Sequence, residues 1–326
     1  MAKLTMVQAL NLALRQEMEK DDSVILLGED IGLDGGVFRV TDGLINRFGE
    51  ERVLDTPLAE SAIAGMSIGM ALYGLKPVCE IQFSGFSYQT FHQIENHAAR
   101  FRCRSGGRFQ VAMVLRAPYG GGVRAIEHHS ESREAYWAHT PGLKMVIPSG
   151  PRNARALLVS AMRDPDPVIF YEPKALYRAF REEVPEKSET LPIGKSQLVR
   201  PGKDLTMISY GAMMRPTLEA AALLKEKDGV EAEVIDLLTL APLDDELFVK
   251  SVMKTGRAMV IHEAPRSFGA GAEIVSRLME KAFYYLEVPI ERVTGFDIVP
   301  PLFSRENAYF PNAGRILRCA RKALKN

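Results

Sequence analysis

The apolar positions of this chain alternate between short continuous runs and runs with helical spacing. The short β-branched runs predict strands at Val24–Gly28, Val78–Phe83, Val111–Arg116, Lys144–Pro148 and Pro167–Tyr171. Helical spacing between these runs predicts helices at 60–74, 88–103, 130–138 and 151–163. This alternation is typical of mostly parallel sheets that are covered by helices on both faces.

The alternation restarts after a polar stretch that contains proline, Glu182–Lys195. The second series predicts strands at Leu205–Tyr210, Ala232–Leu237, Arg257–His262 and Glu291–Thr294. It also predicts helices at 215–227, 244–254, 270–284 and 313–324. We therefore predict two three-layer α/β sandwich domains with mostly parallel sheets. The predicted ranges are 1–185 for the first domain, 186–200 for a linker and 201–326 for the second domain.

The N-terminal residues form an amphipathic pattern, with Thr5 as the predicted N-cap of the first helix. Its apolar side consists of Leu4, Val7, Leu10, Leu14 and Met18. Charged residues interrupt the apolar pattern too early for a secretory signal peptide. We therefore expect no targeting segment and a cytoplasmic location.

Composition excludes some functional classes. Lys+Arg and Asp+Glu both number 41, so the chain lacks the broad basic field of proteins that mainly bind nucleic acid or anionic membrane. The three cysteines, Cys79, Cys103 and Cys319, have no metal-binding spacing, which predicts free thiols in a reducing compartment.

Glu60 precedes an uncharged run, Ser61–Leu75, that is rich in glycine, alanine and serine. The run is too short and too glycine-rich to span a bilayer, so it predicts a buried helix. Pro57 stiffens its entry. A carboxylate taken out of water there needs a partner. The helix dipole partly meets this need, and taken alone Glu60 is best explained as a plain helix-end anion.

Two other segments carry candidate chemistry. In the glycine-rich segment 120–132, His128 and His129 can move protons near neutrality, although solvated loop histidines are the plainer interpretation. A metal site from Glu127, His128, His129 and Glu131 has weak support, because neighbouring residues point to different sides. Asp164 and Asp166 flank Pro165, which predicts either a plain turn or a site for a hard cation.

Two further patterns have structural interpretations. The G-x-G of segment 267–278 lacks the third glycine of a dinucleotide loop, so we interpret it as the lead-in to a helix. A cluster of arginines predicts a charged helix end or an interface; it consists of Arg100, Arg102, Arg104 and Arg108.

Taken together, these segments closely resemble the β subunit of the thiamine diphosphate-dependent E1 component of 2-oxo acid dehydrogenase complexes. The resemblance runs in family order through nearly the whole chain. Its blocks include LGEDIG (27–32), DTPLAESAIAG (55–65), EIQFSGFSYQ (80–89), RAPYGGG (116–122), HHSES (128–132), PGLKMVIPS (141–149), DPVIFYEPKALYR (166–178), HEAP (262–265) and VTGFD (293–297).

The resemblance implies a transketolase-like pyrimidine-binding domain followed by a transketolase C-terminal-like domain. It implies that Glu60 hydrogen-bonds N1′ of the cofactor's aminopyrimidine, that Leu58, Gln82 and Phe86 line that pocket, and that His129 handles protons. The implied reaction is oxidative decarboxylation of a 2-oxo acid and reductive acylation of the lipoyl group of E2.

The resemblance also implies a structural potassium ion beside the 161–166 turn. Its ligands would be the carbonyls of Met113, Ala161 and Met162 and the side chains of Asp164 and Asp166. Many family members have asparagine where this chain has Asp166, which changes the charge of the site.

The chain contains no GDG motif, which in this cofactor class holds the diphosphate through Mg²⁺. The resemblance therefore implies an α subunit that holds Mg²⁺ and the diphosphate, in an α2β2 heterotetramer. It further implies that E2 contacts this chain through its peripheral subunit-binding and lipoyl domains. Pyruvate, branched-chain 2-oxo acids and acetoin remain open as substrates. A non-catalytic assembly paralogue is the alternative from another class, and a self-sufficient transketolase-like enzyme is excluded by length and by the missing GDG.

Overall fold

The computed structural model describes residues 1–325, which divide into two compact units. The first unit contains Met1–Tyr119 and Tyr136–Ile193. The second contains Gly120–Ala135 and the chain from Gly194 onward. The division after Ile193 lies within the segment where the polar stretch indicates a linker.

The structural division differs from the domains predicted from the sequence in the assignment of one loop. Residues 120–135 group with the second unit, whereas the predicted first domain runs without interruption from 1 to 185. The backbone hydrogen bonds of the loop explain this grouping. The N–H of Gly121 donates to Glu263, 3.1 Å away, and the N–H of Gly122 donates to Glu306, and both acceptors lie in the second unit.

The first unit is built on a parallel sheet in the order β6-β7-β5-β4-β2-β3, with a separate antiparallel pair β1-β8. Its strands are β1 (Ala2–Leu4), β2 (Val24–Gly28), β3 (Val53–Asp55), β4 (Lys76–Glu80), β5 (Val114–Tyr119), β6 (Lys144–Val146), β7 (Val168–Pro173) and β8 (Glu182–Val184). The α-helices up to residue 193 are α1 (Met6–Lys20), α2 (Leu44–Phe48), α3 (Glu60–Leu72), α4 (Phe91–Gln93), α5 (Phe101–Arg104), α6 (Glu134–Ala138) and α7 (Pro151–Met162). Every residue of β2, β5 and β7 is buried, as expected for a parallel sheet covered on both faces.

The second unit has a five-stranded sheet in the order β14-β13-β10-β11-β9, in which only β9 is antiparallel. The strands of this unit are β9 (Gln197–Arg200), β10 (Leu205–Ser209), β11 (Ala232–Asp236), β12 (Thr239–Ala241), β13 (Ala258–Ile261) and β14 (Glu291–Val293), of which β12 lies outside the five-stranded sheet. Its α-helices are α8 (Met214–Asp228), α9 (Asp245–Thr255), α10 (Ala270–Ala282), α11 (Glu306–Tyr309) and α12 (Ala313–Lys325). The predicted α/β class and mostly parallel sheets are confirmed in both units.

Local details differ where proline or short length obscures the pattern. The third predicted strand, Val111–Arg116, lies at Val114–Tyr119 because Pro118 is accommodated inside the strand. Proline ordinarily argues against a central strand, since it has no N–H to donate. The carbonyl of Pro118 still takes part in hydrogen bonding, since it accepts the N–H of Ser84 at 2.8 Å. Five short strands, β1, β3, β8, β9 and β12, were not predicted, because three or four residues without a longer apolar run around them carry too little periodicity.

Residues 86–104 form a broken helix and not the continuous one predicted for 88–103. A 3₁₀ turn at Phe86–Thr90 leads into α4, then a π turn at Ile94–Ala98, and finally α5. Apolar spacing does not distinguish these three helix types, whose hydrogen bonds span three, four and five residues. The helix predicted for 130–138 begins at Glu134.

The N-terminal helix confirms its predicted cap. The N–H of Gln8 donates to the Thr5 hydroxyl at 3.4 Å, and the Gln8 side chain accepts the N–H of Thr5 at 3.0 Å. Within residues 1–325, none of the helices combines the length and apolar character needed to cross a bilayer. The uncharged run after Glu60 forms α3, as predicted, but only one side of this helix is buried, whereas a fully buried helix was expected.

Candidate active site

The candidate site lies at the carboxyl ends of three adjacent parallel strands of the first unit, β3, β2 and β4. The connection from β2 leads to β3, whereas the connection from β4 leads away on the other side, to β5. The crevice between β2 and β4 is therefore a topological switch point, where open α/β sheets bind ligands. The Nε2 of Gln82, two residues after β4, donates to Asp30 Oδ2, two residues after β2, at 2.9 Å across this crevice.

Glu60 is the first residue of α3, directly after the loop that leaves β3. Its N-cap residue, Ala59, offers no side-chain cap, so the Glu60 carboxylate is the acidic group at the positive end of this helix. Its side chain is only 8% exposed. The buried face of α3 fixes the helix, and therefore Glu60, against the sheet; this face consists of Ile63, Ala64, Ser67, Ile68 and Ala71.

Glu29, one residue after β2, is a second buried carboxyl group at this site. Burial raises the pKa of Glu29 above its ordinary value, and the negative charges of Glu60 and Asp30 raise it further. Its Oε1 is buried without a hydrogen-bond partner in the part of the chain that the structure describes. Sequence reasoning missed Glu29, although a charged residue directly after a fully buried strand was an available signal.

These features fit an aminopyrimidine ring. Orphaned buried polar atoms, Glu29 Oε1 and Thr56 Oγ1, lie on the loops that leave β2 and β3. Leu58 is 80% exposed, an uncommon position for leucine, and offers apolar surface. Phe86 is half-buried, with its ring edge-to-face with Phe83 at 6.1 Å. A ring with one apolar face and a protonatable nitrogen matches this set of groups.

A buried ionic network lies at the carboxyl ends of β4, β5 and β7. Arg116 donates to Glu80 at 2.8 Å and, through two nitrogens, to both oxygens of Glu172 at 2.7 and 3.0 Å. The hydroxyl of Tyr177 donates to Glu172 at 2.6 Å. Burial raises the pKa of Glu80 although the Arg116 charge opposes this, and burial and the Glu172 charge raise that of Tyr177. The network ties β4, which leads into Gln82, to β5 and, across β5, to β7.

His128 and His129 lie in the second unit, on the loop 120–135, whereas Glu60 and the pocket residues lie in the first. They end a 3₁₀ turn at Glu127–His129, with ring centroids 5.8 Å apart. The proposed metal site from Glu127, His128, His129 and Glu131 is not formed. Among residues 1–325, no group of three or more histidine, cysteine, aspartate or glutamate side chains is arranged to hold a metal ion.

Basic side chains pair with the carboxylates of the turn at Asp164 and Asp166. Lys144 Nζ lies 2.6 and 2.7 Å from the two oxygens of Asp164 and 3.7 Å from Asp166. Arg102 Nε donates to the other oxygen of Asp166 at 2.5 Å. The carbonyls of Met113 and Ala161 accept backbone N–H groups. The Lys144 ammonium group and the Arg102 guanidinium group therefore neutralise the two carboxylates predicted to bind potassium, and a donor set that already holds two cations does not fit a third.

Exchanging potassium for tetramethylammonium at equal ionic strength should therefore leave the melting temperature of this chain unchanged. In Lys144→Met the two aspartates lose their ammonium partner, and potassium should then raise the melting temperature. Thermal unfolding of both variants in both salts is the measurement. A potassium-dependent melting temperature in the unmodified chain would contradict this assignment and restore the ion site.

The remaining sequence patterns have structural roles. A Cβ on Gly271 would lie 2.6 Å from Nε2 of the fully buried His262, so the G-x-G allows α10 to pack on this ring, as a helix lead-in. Burial lowers the pKa of His262 to about 4, which keeps it neutral at pH 7. Arg102 and Arg104 form the charged end of α5, with Arg104 donating to the carbonyl of Asn96 at 2.6 Å, and an interface role for the arginine cluster stays a prediction. The cysteines are free thiols.

The chain matches two family models. Residues 2–179 match the transketolase pyrimidine binding domain and residues 194–316 match the transketolase C-terminal domain. A solved structure described as a split gene transketolase, inactive beta4 tetramer, shares the fold with a TM-score of 0.82, at 22% identity over 99% of both chains.

Curated relatives are similar over the full length. A protein of Acholeplasma laidlawii named pyruvate dehydrogenase E1 component subunit beta is 50% identical over 100% of this chain and 99% of its own. A protein of the same name from Staphylococcus epidermidis is 49% identical over 100% of both chains. Because this similarity of about 50% extends over the whole chain, the chain belongs to the family of pyruvate dehydrogenase E1 component β subunits.

Proposed function

We propose that this chain is the β subunit of an E1 component that decarboxylates pyruvate oxidatively and transfers the acyl group to the lipoyl group of E2. The observation that carries the proposal is the joint position of Glu29, Glu60 and Gln82 at the switch point of the first sheet. The full-length similarity to chains named pyruvate dehydrogenase E1 component subunit beta supports pyruvate as the 2-oxo acid.

Within this proposal the residues of the first unit bind and activate thiamine diphosphate. When bound, the cofactor supplies a nucleophilic carbon that attacks the carbonyl carbon of a 2-oxo acid. Glu60 holds a proton at N1′ of the aminopyrimidine through a charge-assisted hydrogen bond. Leu58 and Phe86 provide the apolar walls that exclude water, and Gln82 is oriented by Asp30.

His129 is proposed to move protons at the substrate carbonyl oxygen and at the acyl group as it leaves. An imidazole suits this role because histidine exchanges protons close to neutral pH. Its position after a glycine-rich segment lets the loop backbone approach a ligand closely. The support for this role is the family register of HHSES, in which His129 is the matching residue.

An α subunit is proposed to supply Mg²⁺ and to hold the diphosphate, in an α2β2 assembly. Two observations support it. The sequence has no GDG motif, and the outer face of α3 is apolar and uncovered in the single chain. That face carries Ala62, Met66 and Gly69 and continues to Tyr73, which is 90% exposed. Apolar surface of this kind marks contacts with other chains.

Reconstitution tests the proposal. The chain should show no 2-oxo acid turnover alone, and turnover should appear only on mixing with an α chain that contains GDG, together with thiamine diphosphate and Mg²⁺. A panel of pyruvate, branched-chain 2-oxo acids and acetoin should show the highest kcat/KM for pyruvate. Tight Mg²⁺-dependent binding of the cofactor by this chain alone would contradict the divided site, and preference for another substrate would reassign the enzyme.

A further inference from the structure

The second unit has its own topological switch point. The crossover from β11 to β13 passes over β10, so the connections that leave β10 and β13 run in opposite directions. Crevices of this kind are where open α/β sheets bind ligands. The strands end next to Tyr210 and close to Glu263, and both residues contact the loop 120–135 of the same unit.

Hydrogen bonds at both ends of this loop join it to the rest of the unit. The N–H of Gly121 donates to Glu263 Oε2 at 3.1 Å, and the N–H of Gly122 donates to Glu306 Oε1. The hydroxyl of Tyr210 donates to Glu134 Oε1 at 2.6 Å, at the far end of the loop. The loop is thus held at both ends, on either side of His129.

The three carboxyl groups in these bonds are deeply buried. Glu134, Glu263 and Glu306 are 0, 3 and 2% exposed. Burial raises the pKa of Glu134, and the hydrogen bond from Tyr210 opposes this. Groups of this kind are costly to bury unless they accept hydrogen bonds, so each bond to the loop also stabilises the carboxyl group that makes it.

The loop backbone lies so close to these residues that only glycine fits. Gly120 has φ +75°, and a Cβ there would lie 2.4 Å from Glu263 Oε1. A Cβ on Gly121 would lie 2.1 Å from the ring of Phe310. The lack of side chains at Gly120 and Gly121 therefore allows the loop backbone to pack closely against the rest of the second unit. This role adds to the backbone freedom that glycine provides near a ligand.

We propose that Tyr210, Glu263 and Glu306 are positioning residues for the loop 120–135, named the His129 loop from here on. They hold this loop in the switch-point crevice of the second unit, so that the chain's own loop occupies the place where such crevices bind a ligand. The consequence for catalysis rests on the proposed function of His129. The docking of the loop itself does not.

Hydrogen exchange of the full-length chain tests the docking. Glu263→Ala removes the acceptor for Gly121, and the lost bond should speed amide exchange within residues 120–135 by roughly tenfold. Glu263→Gln keeps an acceptor oxygen and should restore protection. Tyr210→Phe, which removes one hydroxyl from the other end, should speed exchange in the same residues even if Glu263→Ala folds poorly.

Glu233→Ala is the matched control. Glu233 is a buried glutamate of the same unit that accepts the N–H of Gly202 at 3.1 Å and lies outside the loop's contacts. It should lower the melting temperature without changing exchange in 120–135. Unchanged loop exchange in both Glu263→Ala and Tyr210→Phe would overturn the inference.

Turnover of the reconstituted complex separates this inference from the proposed function. Glu263→Ala should lower kcat with little change in KM, and Glu263→Gln should restore it. If the loop loosens but Glu263→Ala and His129→Ala both keep full turnover, docking stands and the role of His129 falls. If His129→Ala is inactive but loop exchange does not respond, only the docking inference fails.

Discussion

Replacing Glu60 by Gln should lower the kcat of the reconstituted enzyme by about two to four orders of magnitude, the range that a positioned proton-handling group contributes. The amide keeps the size of the side chain and its place at the start of α3. It loses the negative charge that stabilises a proton on a neighbouring ring nitrogen. Steady-state turnover of pyruvate, with the rate of cofactor C2 proton exchange as a second measurement, checks this result.

Glu51→Gln is the control for Glu60→Gln. Glu51 is an exposed glutamate that precedes β3 and takes no part in the site, so its variant should keep full turnover. The melting temperatures of both variants should stay close to that of the unmodified chain. Near-normal turnover in Glu60→Gln would remove Glu60 from the mechanism, whatever the behaviour of His129.

Arg116→Met should destabilise the chain by about 3–5 kcal/mol, because removing one partner leaves buried charges uncompensated. Glu80 and Glu172 would lose the guanidinium group that lies between them, and they are only 4 and 0% exposed. Urea unfolding at neutral pH is the measurement. Burial raises the pKa of Glu80, and in this variant the Arg116 charge no longer opposes that shift, so the variant should recover stability as the pH falls and Glu80 binds a proton.

The charges can be separated from the packing by a compensating variant. Combining Arg116→Met with Glu80→Gln and Glu172→Gln removes all three charges and keeps the side-chain volumes similar. This triple variant should recover most of the lost stability, since replacing a whole buried ionic group is often close to neutral. If the triple variant is no more stable than Arg116→Met, shape and not charge accounts for the loss.

Much of the candidate site could be predicted from the sequence, since the segments that carry Glu60, Gln82, Phe86 and His129 are local and keep their order. The sequence marks Glu29 as a charged residue after a buried strand, but it does not show that Glu29 lies close to Glu60, because this depends on β2 and β3 being neighbours. No local pattern records which strands pair.

The basic partners of the predicted potassium turn could not be found from the sequence, for a similar reason. Asp164 and Asp166 make a plausible cation turn on their own, but Lys144 and Arg102 arrive from distant parts of the chain and supply the positive charge. The sequence shows the acidic residues and the basic residues separately. Only the packing of β6 and α5 beside the turn shows that they neutralise one another.

By itself the sequence determined two α/β units, the class of their sheets and the position of a carboxylate at the start of a small-residue helix. Continuous apolar runs and helical spacing encode burial and backbone geometry residue by residue, so these features are local. Tertiary structure alone decided strand order, the two switch-point crevices, the buried Arg116 network and the docking of the His129 loop on the second unit. Each of these depends on contacts between residues far apart in the chain, and such contacts form only when the strands and loops pack.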